Sequence, residues 1–250
     1  GGITRGGPYG GDRYFSPYGN PRLEDGPKGE HLPARLARET SDFIRENRER
    51  PWLAYLSFYS VHTPLLARED LIAKYRAKKE ELGLSVIWGQ EGERAVRMVQ
   101  EHAVYAGMVE AMDEAIGDVL ATLEETGEAE ETIVIFFSDN GGLSTSEGHP
   151  TSNLPFRAGK GWMYEGGIRE PLLVRVPWLT EAGSVQDQVV SSIDFFPTIL
   201  ELCRVPLAAE VDGKSFAPAL AGQAQPRGPI YWHYPHYGNQ GGKPSAAVRD

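Results

Sequence analysis

Residues 132–142 read TIVIFFSDNGG, and this stretch decides how the rest of the sequence is interpreted. Its first six residues are apolar or β-branched and carry no charge, which is the pattern of a strand buried on both faces. A polar turn, residues 139–142, follows that strand directly. Upstream, apolar side chains recur at the helical period over residues 93–125 and predict one long helix. A long helix followed by a buried strand indicates an α/β fold.

Similar strands and helices are predicted along most of the chain. Further strands are expected at residues 52–59 (WLAYLSFY), 172–176, 189–192 and 230–233, and further helices at 33–47, 69–82 and 195–202. Because strands alternate with helices, we expect a mostly parallel central sheet flanked by helices. Polar residues at the carboxyl ends of its strands would then meet at one edge, where α/β proteins bind ligands.

The chain is expected to form one α/β domain with three parts. Residues 34–205 form the core, and residues 206–250, rich in Pro, Gly and aromatic side chains, begin a C-terminal region. Residues 1–33 contain many Gly and Pro residues, which favours loop structure. Aromatic side chains among them, including Tyr9 and Tyr14, predict that this loop is ordered.

Composition excludes several kinds of partner. The 250 residues are 40% hydrophobic and 24% charged, as in ordinary globular domains, and the formal net charge is −10. That charge argues against nucleic acid or an anionic membrane surface, whereas a small anion held by a few cations stays compatible with it. No stretch is long and apolar enough for a membrane helix.

The single cysteine, Cys203, excludes an internal disulfide, and its place on the apolar face of a predicted helix indicates a buried thiol.

The turn after the buried strand offers ligands for a hard cation. Asp139 has a carboxylate and Asn140 an amide oxygen, and both suit Ca²⁺ or Mg²⁺. The two glycines that follow allow the backbone to turn sharply and to approach a ligand. On this local pattern alone, an ordinary turn is the better-supported interpretation.

Two further segments could bind an anion. Lys160 lies between two glycines in the segment 157–169 (RAGKGWMYEGGIR), which also contains Arg157, and could place its ammonium against an oxyanion. His62 follows the strand predicted at 52–59 and could bind an anion or give a proton to a leaving group. Taken singly, the Lys160 segment is explained at least as well as a solvated loop, and a solvated side chain is the better-supported interpretation of His62.

Together and in order, these segments resemble the type I sulfatase family of the alkaline phosphatase superfamily. The matching stretches are residues 14–20, 25–27, 60–64, 105–113, 137–142, 159–161, 165–171, 194–198 and 211–215. The ordered set spans nearly the whole chain and is far more specific than any of its members. The resemblance implies that Asp139 and Asn140 bind one Ca²⁺ ion. It also implies that Lys160 bridges the substrate sulfate and the catalytic residue, and that His62 contacts the sulfate and the leaving oxygen.

The reaction that the resemblance implies is hydrolysis of a sulfate ester. In this family the nucleophile is a formylglycine made from Cys or Ser; its hydrate attacks sulfur while Ca²⁺ and cations stabilise charge on the sulfate oxygens. The C-x-P-x-R pattern that yields formylglycine is absent, since Cys203 is followed by RVPL. The family's N-terminal aspartate pair is missing too. The chain is therefore expected to be a fragment that lacks the N-terminal nucleophile motif and the C-terminal subdomain, and to be inactive alone.

A sugar sulfate is the expected substrate, because the aromatic segment 232–237 (WHYPHY) suits contacts with a sugar ring. The residues predicted to bind the substrate are His62, Arg157, Lys160, His233 and His236. Simple packing of the aromatic segment is the alternative. The resemblance further suggests a periplasmic or secreted location.

Two other functions are compatible with these residues. A phosphodiesterase or phosphonate hydrolase of the same superfamily would share most elements, although such enzymes usually carry more Asp and His ligands for two metal ions. A non-catalytic protein that binds sulfated glycans would need only Lys160, Arg157 and the aromatic C-terminal part.

Overall fold

The computed structural model describes residues 14–20, 23–223 and 226–250, so the part of the predicted N-terminal loop before Tyr14 lies outside the described residues. The helices are α1 (Leu32–Asn47), α2 (Glu69–Glu81), α3 (Ala103–Thr126), α4 (Glu165–Ile168), α5 (Phe195–Leu202) and α6 (Ala217–Leu220). The strands are β1 (Trp88–Glu91), β2 (Arg94–Arg97), β3 (Val134–Phe137), β4 (Leu172–Arg175), β5 (Ile230–Tyr234) and β6 (Ser245–Arg249). Short 3₁₀ helices lie at Ala129–Glu131 and Ser192–Asp194.

The chain forms two compact units. The first comprises the described residues of 1–129, 139–170 and 236–243, and the second those of 130–138, 171–235 and 244–250. None of the helices in the described part of the chain combines the length and the apolar character that crossing a membrane requires.

In the first unit, α3 packs against both α1 and α2. Gly107 makes the approach to α2 possible, because a Cβ atom there would lie only 3.2 Å from the Cβ atoms of Ala67 and Leu71. Toward its other end, α3 contacts α1 through a hydrogen bond of 2.9 Å from the Thr122 hydroxyl to the Ser41 hydroxyl. The helix ends at Gly127, which adopts the left-handed conformation (φ 75°) typical of a helix C-terminus.

The core of the first unit lies between these helices and the N-terminal loop. Tyr14 and Tyr18, two of the aromatic side chains on which the prediction of an ordered loop rests, are fully buried, and they pack with Leu32 and Met108. The Tyr14 hydroxyl donates a hydrogen bond of 2.9 Å to the backbone oxygen of His62. The loop therefore supports the segment that carries a predicted site residue.

The second unit is built on β3, β4 and α5. Its Phe195 ring packs edge-on against Phe137 at 4.9 Å. The fully buried Asp194 accepts hydrogen bonds from both the backbone N–H of Lys214, at 2.8 Å, and the guanidinium of Arg227, at 2.6 and 2.7 Å. This carboxylate ties the start of α5 to the chain that follows it.

The strands predicted at 132–137 and 172–176 are confirmed as β3 and β4, but β3 is only partly buried, with Phe137 exposed, and the two strands do not run in the parallel direction expected for most of the sheet. They pair antiparallel, with Phe137 opposite Leu172, and the other described strands also pair antiparallel in two-stranded sheets. A parallel pair needs a crossover that returns the chain to the start of the first strand. The connection from β3 to β4 contains only the one-turn helix α4 and re-enters at the end where β3 stops. The mostly parallel pairing is therefore not seen among the described strands.

The strand predicted at 52–59 is not formed within the described residues. The segment is extended, and exposure alternates along it, with Leu53 at 76% and Tyr55 at 91%. The backbone groups of residues 53–58 have no hydrogen-bond partner among the described residues. Apolar, β-prone composition favours the extended conformation, but a strand also requires a neighbouring strand with which to pair. The weaker strand candidate at 189–192 is likewise not a strand.

The long helix begins later than predicted, at Ala103. Residues 88–97 form the β1–β2 hairpin instead, which turns at Gly92 with a positive φ of 57°. The His102 side chain accepts a hydrogen bond from the backbone N–H of Tyr105 and so caps the first turn of α3. The prediction of a buried Cys203 is also wrong, since this thiol is exposed. Cys203 is the residue after the last turn of α5, beyond the buried positions Pro197 and Thr198.

Candidate active site

The structure brings His62 and Lys160 into contact although they lie 98 residues apart in the sequence. Nε2 of His62 lies 3.2 Å from Nζ of Lys160. On the other side of the ring, Nδ1 lies 2.9 Å from the Tyr59 hydroxyl and 2.9 Å from the backbone oxygen of Thr63. Both the imidazole and the ammonium are partly exposed, so a solute can reach them. The pair is a cationic group next to a proton-exchanging group, which is the combination predicted for an anion site.

The loop that carries Lys160 is joined to the turn that follows β3. The backbone N–H of Lys160 donates to the backbone oxygen of Gly142 at 3.2 Å. The Asn153 amide donates to the same oxygen and to the oxygen of Ala158, at 2.8 Å each, and accepts from the N–H of Gly142 at 3.1 Å. Sequence reasoning missed Asn153. The only sequence feature that points to Asn153 is its position, as a residue with a side-chain amide, midway between two glycine-rich segments.

Glycine is required where these two segments meet. A Cβ atom on Gly141 would collide with the backbone oxygen of Gly166, and the N–H of Gly141 donates to the oxygen of Gly167 at 3.4 Å. The glycines after Asp139-Asn140 therefore serve a close approach of two backbones, as the sequence suggested in general terms. This contact places the predicted metal ligands and the predicted anion-binding lysine on adjoining loops of the first unit.

A second carboxylate lies near Asp139, and sequence reasoning missed it. Burial, and to a smaller extent the Asp139 carboxylate, raise the pKa of Glu170 from 4.5 to about 7. Its Oε1 atom is buried and has no hydrogen-bond partner among the described residues. Two neighbouring carboxyls, one of them with an unpartnered oxygen, form an electrostatically unfavourable arrangement that a proton or a cation relieves.

The chemical character of these groups fits a hard cation. Asp139 and Glu170 offer carboxylate oxygens and Asn140 an amide oxygen, and Ca²⁺ prefers six to eight such oxygens. Among the described residues, no group of three or more His, Cys, Asp and Glu side chains is arranged to hold a metal ion. The two predicted ligands therefore account for only part of a calcium coordination shell.

Arg157, predicted to bind substrate, already has partners within the protein. Its guanidinium donates to both oxygens of Glu91, at 2.7 and 2.8 Å, and its carbon lies 3.8 Å from the centroid of the Tyr164 ring. The guanidinium lowers the pKa of the Glu91 carboxyl, mainly through these hydrogen bonds. An anionic substrate at Arg157 would have to compete with this bidentate pair.

The two histidines of the aromatic segment belong to different compact units. His233 lies on β5 in the second unit, opposite Ala246 of β6, and its side chain is exposed. His236 belongs to the first unit and is also exposed. Their part in substrate binding stays a prediction.

Comparisons with known proteins bear on the family and the fold. Residues 5–205 match the family model described as Sulfatase. The chain is 36% identical to a sulfatase of Formosa agariphila over 92% of its own length, and 33% identical to human steryl-sulfatase over 78%. Among solved structures, that of Ps i-CgsB in complex with k-i-k-neocarrahexaose superposes with a TM-score of 0.68 at 26% identity, covering 91% of this chain and 46% of that one.

The chain therefore belongs to the type I sulfatase family and has the α/β fold of the alkaline phosphatase superfamily. It spans 41% of the Formosa agariphila sulfatase and 30% of human steryl-sulfatase, less than half of either relative.

Proposed function

We propose that this chain supplies part of the active site of a sulfate-ester hydrolase. The observation that carries the proposal is the 3.2 Å contact between Lys160 Nζ and His62 Nε2, next to the loop of Asp139 and Asn140. A sulfate ester that loses its alcohol gathers negative charge on the sulfate oxygens and on the leaving oxygen. The Lys160 ammonium can stabilise the charge on the sulfate oxygens by donating a charged hydrogen bond, and the His62 imidazole can exchange a proton with the leaving oxygen.

Asp139 and Asn140 would hold a Ca²⁺ ion, with the Glu170 carboxylate close enough to Asp139 to add to the negative field. Such an ion would withdraw electron density from the sulfate oxygens. A formylglycine would supply the nucleophile, although its C-x-P-x-R source pattern does not occur in this sequence. The residues of this chain bind and orient the sulfate group and provide a proton-exchanging nitrogen.

We further propose that the alcohol part of the substrate is a sugar. The structural relative named above is in complex with k-i-k-neocarrahexaose, and Tyr237 of the aromatic segment 232–237 is 81% exposed and offers a flat apolar surface that suits a sugar ring. The similarity to steryl-sulfatase makes a steryl sulfate the main competitor.

The test compares hydrolysis of sulfated oligosaccharides, a steryl sulfate and a phosphodiester by the natural protein that contains this sequence. Lys160→Ala should lower kcat/KM for the sulfate ester about 10²–10³-fold, since one charged donor to the developing anion is lost. The matched control is Lys28→Ala, which removes an exposed lysine and should change nothing. Equal activity of the Lys160 variant and wild type, or preference for the phosphodiester, would reject the proposal.

A further inference from the structure

The neighbours of His62 determine which of its ring nitrogens carries the hydrogen. A neutral imidazole has one donor and one acceptor nitrogen. The backbone oxygen of Thr63, 2.9 Å from Nδ1, can only accept a hydrogen bond. The ammonium of Lys160, 3.2 Å from Nε2, can only donate one. Both contacts are satisfied only when Nδ1 carries the hydrogen and Nε2 presents a lone pair.

The Tyr59 hydroxyl lies 2.9 Å from Nδ1 and accepts its hydrogen bond in this tautomer, and the Thr63 hydroxyl is a more distant neighbour of Nδ1 at 3.3 Å. Thr63 is the residue next to His62, so its carbonyl alone constrains the ring only locally. The Tyr59 side chain fixes the ring from another direction. Its aromatic ring lies 5.0 Å from the His62 ring and 5.8 Å from that of Tyr14, centroid to centroid.

Tyr59 is itself held in place and stays protonated. The Tyr14 ring against which it packs is fully buried, and the Tyr14 hydroxyl also anchors the backbone of His62. Burial, with a smaller contribution from the Glu147 carboxylate, raises the pKa of the Tyr59 phenol. The Tyr59 hydroxyl is therefore held in a fixed position and stays protonated, and both properties suit a hydrogen bond with the Nδ1–H group of His62.

We propose that Tyr59 is a positioning residue of the hydrolytic site: with the Thr63 carbonyl it holds His62 in the Nδ1–H tautomer and reserves Nε2 for proton exchange. When the ring takes up a proton, it does so at Nε2. When a leaving oxygen takes that proton, the ring returns to its Nδ1–H form with no change at Nδ1. The role of this arrangement in catalysis rests on the proposed sulfate-ester hydrolysis. The assignment of the tautomer does not depend on that function.

The test is ¹⁵N NMR of the histidine side chains in the 250-residue chain, at alkaline pH where the imidazoles are neutral. The chain has six histidines, and the His62 signals are identified by their loss in His62→Gln. Wild-type His62 should show a protonated Nδ1 and an unprotonated Nε2. Tyr59→Phe keeps the ring packing but removes one acceptor, so the ratio of the two tautomers should move about fivefold toward Nε2–H, as expected for one neutral hydrogen bond.

The matched control is Tyr55→Phe, on the same extended segment, where the tyrosine is 91% exposed. It should leave the His62 signals unchanged, and circular dichroism should show both variants folded. A protonated Nε2 in the wild type would overturn the inference. So would an unchanged ratio in Tyr59→Phe, which would assign the tautomer to Thr63 alone, or an equal change in Tyr55→Phe. Because the spectra do not depend on turnover, a failed hydrolysis assay with the tautomer as stated would reject only the proposed function.

Discussion

Replacing Glu170 by glutamine should stabilise the protein at alkaline pH and leave its stability in acid unchanged. The Oε1 atom of Glu170 is buried without a hydrogen-bond partner among the described residues, and burial, followed by the Asp139 carboxylate, raises the pKa of this group from 4.5 to about 7. Glutamine has the shape of the protonated carboxyl but cannot ionise. The variant therefore avoids both the desolvated charge and its repulsion by Asp139.

The direction of the effect follows from which state binds the proton more tightly. Below about pH 4.5 both the folded and the unfolded state are protonated, so Glu170 costs no stability. Between 4.5 and about 7 the unfolded state ionises first, so the free energy of unfolding of the wild type falls as pH rises. Above about 7 both states are ionised and the loss is complete.

The size of the effect follows from the same shift. One pKa unit corresponds to about 1.4 kcal/mol, so a shift from 4.5 to about 7 gives an upper bound of about 3.4 kcal/mol. Because the Glu170 side chain is partly exposed, solvent screening reduces the expected gain to about 1–2 kcal/mol.

The assay is urea unfolding of the wild type and Glu170→Gln from pH 4 to pH 9 in the presence of a chelator. The control is Glu181→Gln, an exposed glutamate of the second unit, which should show no such pH-dependent gain. Added Ca²⁺ at pH 9 should stabilise the wild type more than Glu170→Gln, because a cation offsets the paired carboxylates. A difference in unfolding free energy that is the same at every pH, or that vanishes at pH 9 without Ca²⁺, would refute the reasoning.

Two further predictions concern the second unit. Asp194→Ala should lower the free energy of unfolding by about 3–5 kcal/mol, because it leaves the largely buried guanidinium of Arg227 without its carboxylate. The measurement is urea unfolding, and a loss below about 1 kcal/mol would contradict this prediction. The Cys203 thiol is exposed and should react with a thiol reagent in the native protein nearly as fast as after unfolding. Mass spectrometry should find no formylglycine at that position, and strong protection of the native thiol would show that its placement is wrong.

The sequence by itself determined the elements whose signals are local. The helix at 33–47, the strand inside 132–142 and the end of the long helix near residue 125 all follow from side-chain periodicity or turn chemistry within a few residues. They are found as α1, β3 and the C-terminus of α3. The types of residue that could carry chemistry were visible in the same way, because their functional groups do not depend on the fold. The ordered set of motifs was enough to identify the family.

Only the tertiary structure decided which of these residues have partners. The contact of His62 with Lys160, and the pairing of Arg157 with Glu91, join residues 98 and 66 positions apart, and no local pattern encodes such distances. The segment 52–59 has the composition of a strand, yet a strand forms only where another backbone lies alongside to accept its hydrogen bonds. The pKa of Glu170 likewise depends on burial and on the nearby Asp139 carboxylate, both of which arise only when the chain has folded.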